Sequence, residues 1–313
     1  MFADDVKMIA DPRHPTAIKE DLDRLSEWES IWSLEFNVDK CKVMHLGKAN
    51  PHNKYLFGEK ELSVVHEERD LGVMFSDDLS FQKQIRASIS KAKAVSGWLM
   101  RTVISRDPHV MTSLYKILIR PHLEYCVQAW APVARYRNWD IILEIEGVQR
   151  SFTRLIEGIG LLTYRDRLER LSLTTLLERR MRGDLIETFK IVSGLADYGA
   201  GLFNRSRSGR KLIARSSRTR FTTQKSDFFS QRVLHYWNKL PENVKSSPSV
   251  NSFKNRLDNF RAKLSVSVNQ GHYWELSDDI FRRIEVSSSD RSNYTQYMKD
   301  NPHVAKYKGI NIR

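Results

Sequence analysis

From Ser80 onward the apolar residues of this chain recur at helical spacing, and a chain so patterned has to bury those stripes against one another. Ile85, Ile89, Ala92, Val95 and Leu99 form one stripe, and Val110, Leu114, Ile117 and Leu118 a second. Ile141, Ile145, Val148, Phe152 and Leu155 form a third, and Leu177, Met181, Leu185, Phe189 and Val192 a fourth. Each set falls on one side of a helix, so the region reads as a helical bundle core. The stretch before it has mixed periodicity. Ile18, Leu22, Leu25, Trp28 and Trp32 make a helical stripe after turns at Pro12 and Pro15, while residues 6–9, 36–38 and 43–46 read as extended. Residues 55–57 and 62–65 predict a hairpin around Gly58-Glu59-Lys60, and residues 71–75 a further strand. Two closing helices are expected over 228–237 and 250–260, and a polar, loosely ordered tail beyond, with one helix near 274–284. The fold class is α+β with helix dominant.

Charge narrows the partners. The chain of 313 residues carries 51 Lys and Arg against 38 Asp and Glu, a net charge of +13 that favours an anionic partner. Arg205, Arg207, Arg210, Lys211, Arg215, Arg218 and Arg220 lie in one segment without an acidic residue. Its Ser, Thr and Gly content predicts a loop or weak hairpin. Cys41 and Cys126 are the only cysteines, too few for a disulfide framework or a thiolate zinc site, so an intracellular setting is expected. No apolar run approaches the roughly 20 residues needed to span a bilayer, and Asp4 and Asp5 near the start are unlike a signal peptide. The histidines form no HxxxH pattern; His122 and Cys126 have the spacing of one helix face but are only two ligands.

Paired aspartates at Phe2-Ala3-Asp4-Asp5 suit metal chemistry, but Phe75-Ser76-Asp77-Asp78 has the same residue types where helix capping suffices. The flanks distinguish them. After Asp5 come Leu34-Glu35-Phe36-Asn37-Val38-Asp39-Lys40-Cys41-Lys42-Val43-Met44-His45-Leu46-Gly47 and Glu68-Arg69-Asp70-Leu71-Gly72-Val73. Ser105-Arg106-Asp107-Pro108, Leu118-Ile119-Arg120-Pro121-His122-Leu123-Glu124-Tyr125-Cys126 and Val148-Gln149-Arg150 follow. Then come Arg179-Arg180-Met181-Arg182-Gly183-Asp184-Leu185, Phe229-Ser230-Gln231-Arg232-Val233, Trp237-Asn238-Lys239-Leu240-Pro241 and Pro248-Ser249-Val250-Asn251-Ser252-Phe253-Lys254. This ordered series, over residues 1–262, closely resembles the C-terminal part of reverse transcriptases from jockey-like non-LTR retrotransposons (LINEs), from the FADD motif through the thumb.

The resemblance implies a partial palm over 1–78, a helical thumb and post-thumb region over 79–264, and a tail over 265–313. It casts Asp4 and Asp5 as the catalytic pair that binds Mg²⁺ in a two-metal site. Lys40 falls near the leaving pyrophosphate, and Leu71 and Gly72 in the primer grip. The helical region would hold an RNA template and DNA primer as a hybrid. Arg150 and Arg154 share one face and Arg179, Arg180 and Arg182 cluster on another, beside the basic segment from Arg205 to Arg220. Against a phosphate role stands a solvated face with local ion pairs such as Glu178 to Arg182. Deoxynucleoside triphosphates would belong to the longer parent protein. The upstream metal-binding aspartate and the fingers do not precede Asp4, so the metal site is incomplete and the chain alone is expected not to polymerise. A non-catalytic basic nucleic-acid-binding module and a structural remnant of a decayed element are the alternatives. A nuclear location follows from the resemblance alone.

Overall fold

A computed structural model of the protein describes residues 6–47, 49–133, 138–196, 198, 201–207, 211–214, 227–266, 280 and 283. It is helix-dominant with short strands and divides after Gln84 into two compact units.

In the first unit, helix α1 (Pro15–Trp32) begins with a proline in its first turn and stops at Ser33, whose left-handed backbone turns the chain out. Leu22 is buried with Tyr55, Phe57 and Leu62, while Ile18, Leu25 and Phe36 close the edges. Phe36 meets Phe57 edge to face at 5.5 Å. Trp32 and Ile31 remain exposed, so the α1 stripe is covered only along part of its length. Strands β1 (Lys42–Val43) and β4 (Ser63–Val64) pair in parallel, and β2 (Leu56–Phe57) pairs with β3 (Lys60–Glu61) in the expected hairpin. The hairpin is tighter than expected, because Phe57 pairs with Lys60 across Gly58-Glu59, and the Leu62 amide continues the pairing by donating to the Tyr55 carbonyl at 2.9 Å.

A second hairpin joins β5 (Glu67–Asp70) to β6 (Val73–Ser76), with Leu71 and Gly72 as its turn. Both turn residues have positive φ, 46° and 83°, the handedness that matches strand twist. Three expectations are corrected. Residues 6–9 form no strand, residues 38–40 form a 3₁₀ turn, and the pieces are not all antiparallel. The β2–β3 hairpin lies between β1 and β4 in sequence and supplies the crossover that parallel pairing needs. Asp77 and Asp78 do not cap the next helix directly: Asp78 Oδ1 accepts from Ser76 Oγ and Ser80 N, each at 2.8 Å, and Asp77 meets His66 Nδ1 at 2.7 Å.

Helix α2 (Gln82–Thr102) buries Ile85, Ile89, Ala92 and Leu99, as its stripe predicts. Arg106 donates to the carbonyls of Met100, Val103, Ile104 and Ser105, so it closes the end of α2. Asp107 then caps α3 (Pro108–Leu114), accepting from the His109 and Val110 amides at 2.9 and 3.0 Å. A π-helical turn over Tyr115–Ile119 leads into α4 (Arg120–Glu124), where Pro121 has no amide to donate. This turn overturns the second stripe. The buried residues are Met111, Tyr115, Ile119 and Leu123, four apart as the widened turn allows, while Ile117 faces out; Val110, before the turn, is also exposed.

After α5 (Val127–Trp130), helices α6 (Trp139–Arg154), α7 (Tyr164–Arg170) and α8 (Leu176–Val192) carry the third and fourth stripes. A buried polar network joins them. Tyr164 donates to Glu146 Oε1 at 2.5 Å, and the Leu176 amide, at the start of α8, donates to Glu146 Oε2 at 2.9 Å. Gln149 accepts from Tyr115 at 2.7 Å and donates to Tyr164 at 2.8 Å and to the Thr174 carbonyl at 3.0 Å. The basic segment begins as the hairpin β7 (Phe203–Arg205) and β8 (Leu212–Ala214). Asn238 accepts from the Leu212 amide at 2.9 Å and donates to the Leu212 carbonyl at 3.0 Å, which fixes β8 against the closing helices. Those are α9 (Phe229–Arg232), α10 (Leu234–Lys239), α11 (Glu242–Lys245) and α12 (Val250–Val266). Phe253 stacks on Phe189 at 4.5 Å in their core. Of the tail, Ile280 is buried and the Arg283 guanidinium lies 4.4 Å from the Trp139 ring, so these two residues are packed rather than loose.

Burial holds the Glu146 carboxyl above the ordinary 4.5, although Tyr164, Arg180 and the α8 amides oppose the shift. A raised folded-state value gives stability that is complete below the unfolded value and is lost as pH rises through the folded one. The stability of the wild type relative to Glu146→Gln is therefore greatest below pH 4.5 and declines as pH rises. Urea midpoints of both proteins across that range check this; a difference that grows with pH contradicts it.

Candidate nucleic-acid interface

The arginines suggested by the sequence separate into two groups. Arg179 grips Glu124 of α4 through Nε and Nη2. Arg182 binds Asp258 of α12 in the same forked way, at 2.8 and 2.7 Å. Arg180 is only 2% exposed, and its charge faces Glu146, Glu124 and Asp184. These three do not form one phosphate-facing cluster, and that expectation is corrected. Consecutive helical positions point in different directions: Arg179 and Arg182 each found a carboxylate far away in sequence, and Arg180 is buried. The suggested Glu178 to Arg182 pair is replaced as well, since Glu178 pairs with Arg261.

Asp184, a residue of the same block, holds Arg232 in a buried fork at 2.8 and 3.0 Å. Arg232 also donates to the carbonyls of Val127 and Gln128, at 3.0 and 3.1 Å, and so ties α5, α8 and α9 together.

Arg150 and Arg154 behave differently. They sit on the last turns of α6, where the chain bends through residues 155–163 into α7. Arg167 of α7 joins them: its guanidinium donates to the Arg150 carbonyl at 3.2 Å and lies 5.5 Å from the Tyr164 ring. Burial lowers the Arg150 and Arg167 pKa values, and the neighbouring arginine charges lower them further. Tyr164 opposes both shifts. No ion pair joins any of the three to a carboxylate among the described residues. Arg167 Nε is buried without a hydrogen-bond partner. Three like charges held together, none of them ion-paired among the described residues, form a site that favours an anion.

The bend itself is specified by glycine. Gly158 has φ +74°, and a Cβ on Gly160 would stand 2.7 Å from the Arg154 carbonyl oxygen. The loop can close against the end of α6 only if residue 160 has no side chain. Arg154, Ile156, Gly158, Gly160, Leu161 and Leu162 line a concavity of about 460 Å³ there.

Arg205, Arg207 and Lys211 are exposed around the β7–β8 hairpin, where the Ser206 amide donates to the Lys211 carbonyl at 2.8 Å. Arg210, Arg215, Arg218 and Arg220 lie outside the described residues, as do Asp4 and Asp5. Lys40 is exposed at the end of the 3₁₀ turn before β1. Leu71 and Gly72 form the β5–β6 turn, with Leu71 half exposed. Among the described residues, no group of three His, Cys, Asp or Glu side chains is arranged to hold a metal ion. No described helix is long and apolar enough to cross a membrane.

Arg167 was missed because Tyr164-Arg165-Asp166-Arg167 reads as a short solvated helix with its own counter-charge. Asp166 is in fact occupied by Thr163. In comparisons with known proteins, no family model, no curated protein and no solved structure matches the chain.

Gly160→Ala forces the loop off the Arg154 carbonyl and is expected to cost about 1–3 kcal/mol. Chemical denaturation measures it; a loss no larger than that of an exposed loop substitution contradicts the close-packed bend.

Proposed function

We propose that this chain is the C-terminal part of an RNA-directed DNA polymerase of the jockey-like non-LTR class, and that its helical region grips the phosphates of an RNA–DNA hybrid. The observation that carries the reading is the uncompensated trio Arg150, Arg154 and Arg167 at the α6–α7 bend. Most of the other candidate arginines that are described on helices have structural carboxylate partners, so the trio stands out by charge and not by composition. The ordered blocks described above supply the polymerase origin, and the net charge of +13 agrees with a polyanionic partner.

In this reading Arg150 and Arg154 supply mobile phosphate contacts, and Arg167 adds fixed positive charge behind them. Such contacts give affinity without reading sequence and weaken with salt. Asp4 and Asp5 would bind Mg²⁺ together with a further carboxylate, and the metal would supply Lewis-acid activation of the primer hydroxyl.

A titration of the purified chain with an RNA–DNA hybrid at low and moderate salt tests this. The expected result is salt-sensitive binding, weakened about tenfold or more when Arg150 and Arg154 are both changed to Gln. Binding indifferent to salt, or to those two changes, overturns the reading.

A further inference from the structure

The tip of the α6–α7 bend presents an apolar side chain directly to solvent. Leu161 is 104% exposed, Leu155 is 50% exposed and Leu162 is 38% exposed. A single exposed leucine is ordinary. This one is held out by a turn whose two glycines have specific duties, Gly158 at positive φ and Gly160 against the Arg154 carbonyl. Leu161 also shares its concavity with Arg154, so an apolar tip and an unpaired guanidinium face the same space.

The occupant of that space must meet both demands. An apolar protein face would cover Leu161 but bury arginines that pair with no carboxylate among the described residues. A nucleic-acid duplex satisfies both, with phosphates outside for the arginines and a base stack within reach of a leucine. Apolar side chains placed between base steps unstack them and bend the duplex. We infer that Leu161, supported by Leu162, is a wedge that enters the base stack of a duplex whose phosphates Arg150 and Arg154 hold. This inference rests on the nucleic-acid reading above and adds a mechanical action to it.

The test uses the full chain and a short RNA–DNA hybrid labelled with a dye at each end. Anisotropy reports binding and energy transfer between the dyes reports bending. The expected result is binding accompanied by increased transfer, with both the bend lost and affinity reduced about tenfold in Leu161→Ala, and both retained in Leu161→Met. Because Leu161 is fully exposed, thermal melting of the Ala variant should match that of the wild type. Binding without a change in transfer, or a bend that survives Leu161→Ala, overturns the wedge and leaves hybrid binding intact. If the wild type binds no hybrid, the nucleic-acid reading itself fails. If it then binds phosphatidylserine vesicles in a Leu161-dependent way, the tip serves an anionic membrane surface and the wedge is overturned with it.

Discussion

The carboxylate of Glu146 is the constraint on which the helical unit depends. It lies in the core, accepts a hydrogen bond from Tyr164 on α7 and two from the first amide of α8, and so fastens three helices with one side chain. Placing it at a helix N-terminus uses the unsatisfied amides there and their favourable field for a negative charge. Gln149, one turn along α6, extends the same network to Tyr115 in the π-helical turn. A buried charge left without these partners would be strongly destabilising, so the helices that provide them must pack in one arrangement. Glu146 is also the strongest counter-charge of Arg180, whose guanidinium nitrogens have no hydrogen-bond partner among the described residues and are held by charge alone. The angle between α6 and α7 follows from this network, and that angle brings Arg167 against Arg150.

The blocks that carry the family resemblance fall largely on such fastenings. Asp107 caps α3, Glu124 holds Arg179, Gln149 serves the buried network, and Asp184 holds Arg232. Asn238 clamps β8, and Phe253 stacks into the closing core. These residues build a scaffold. Arg150 and Arg154, the two arginines proposed to meet phosphates, lie one within a block and one just beyond it. Under that proposal, rigid packing would set where the phosphates of a duplex are met.

Much of the scaffold was legible in the sequence where periodicity governs. The stripes of α2 and α8 bury nearly as spaced, because each is a regular helix against a continuous core. That of α6 holds over Ile145, Val148 and Phe152, but Leu155 is half exposed and Ile142 is buried in place of Ile141. The α3–α4 stripe was misphased because a π turn adds width that no periodic template includes. Arginine roles were the least legible. Arg179 and Arg182 find their carboxylates 55 and 76 residues away, and charge patterning within one helix cannot report that. Leu71 and Gly72 read as the start of a strand because leucine is seldom found at positive φ, although the glycine after it is the usual sign of such a turn. Arg150 and Arg154 were found from their shared face, while Arg167 needed the fold of the bend to bring it to them.

The most direct test of the account is arginine modification by phenylglyoxal, read by mass spectrometry with and without an RNA–DNA hybrid. Arg150 and Arg154 should react in the free chain and be protected by the hybrid. Arg179 and Arg182, held by Glu124 and Asp258, should react slowly in both conditions. Unchanged reactivity at Arg150 and Arg154, with protection confined to Arg205 and Arg207 on the hairpin, would contradict the claim that the α6–α7 bend is where the polyanion is held.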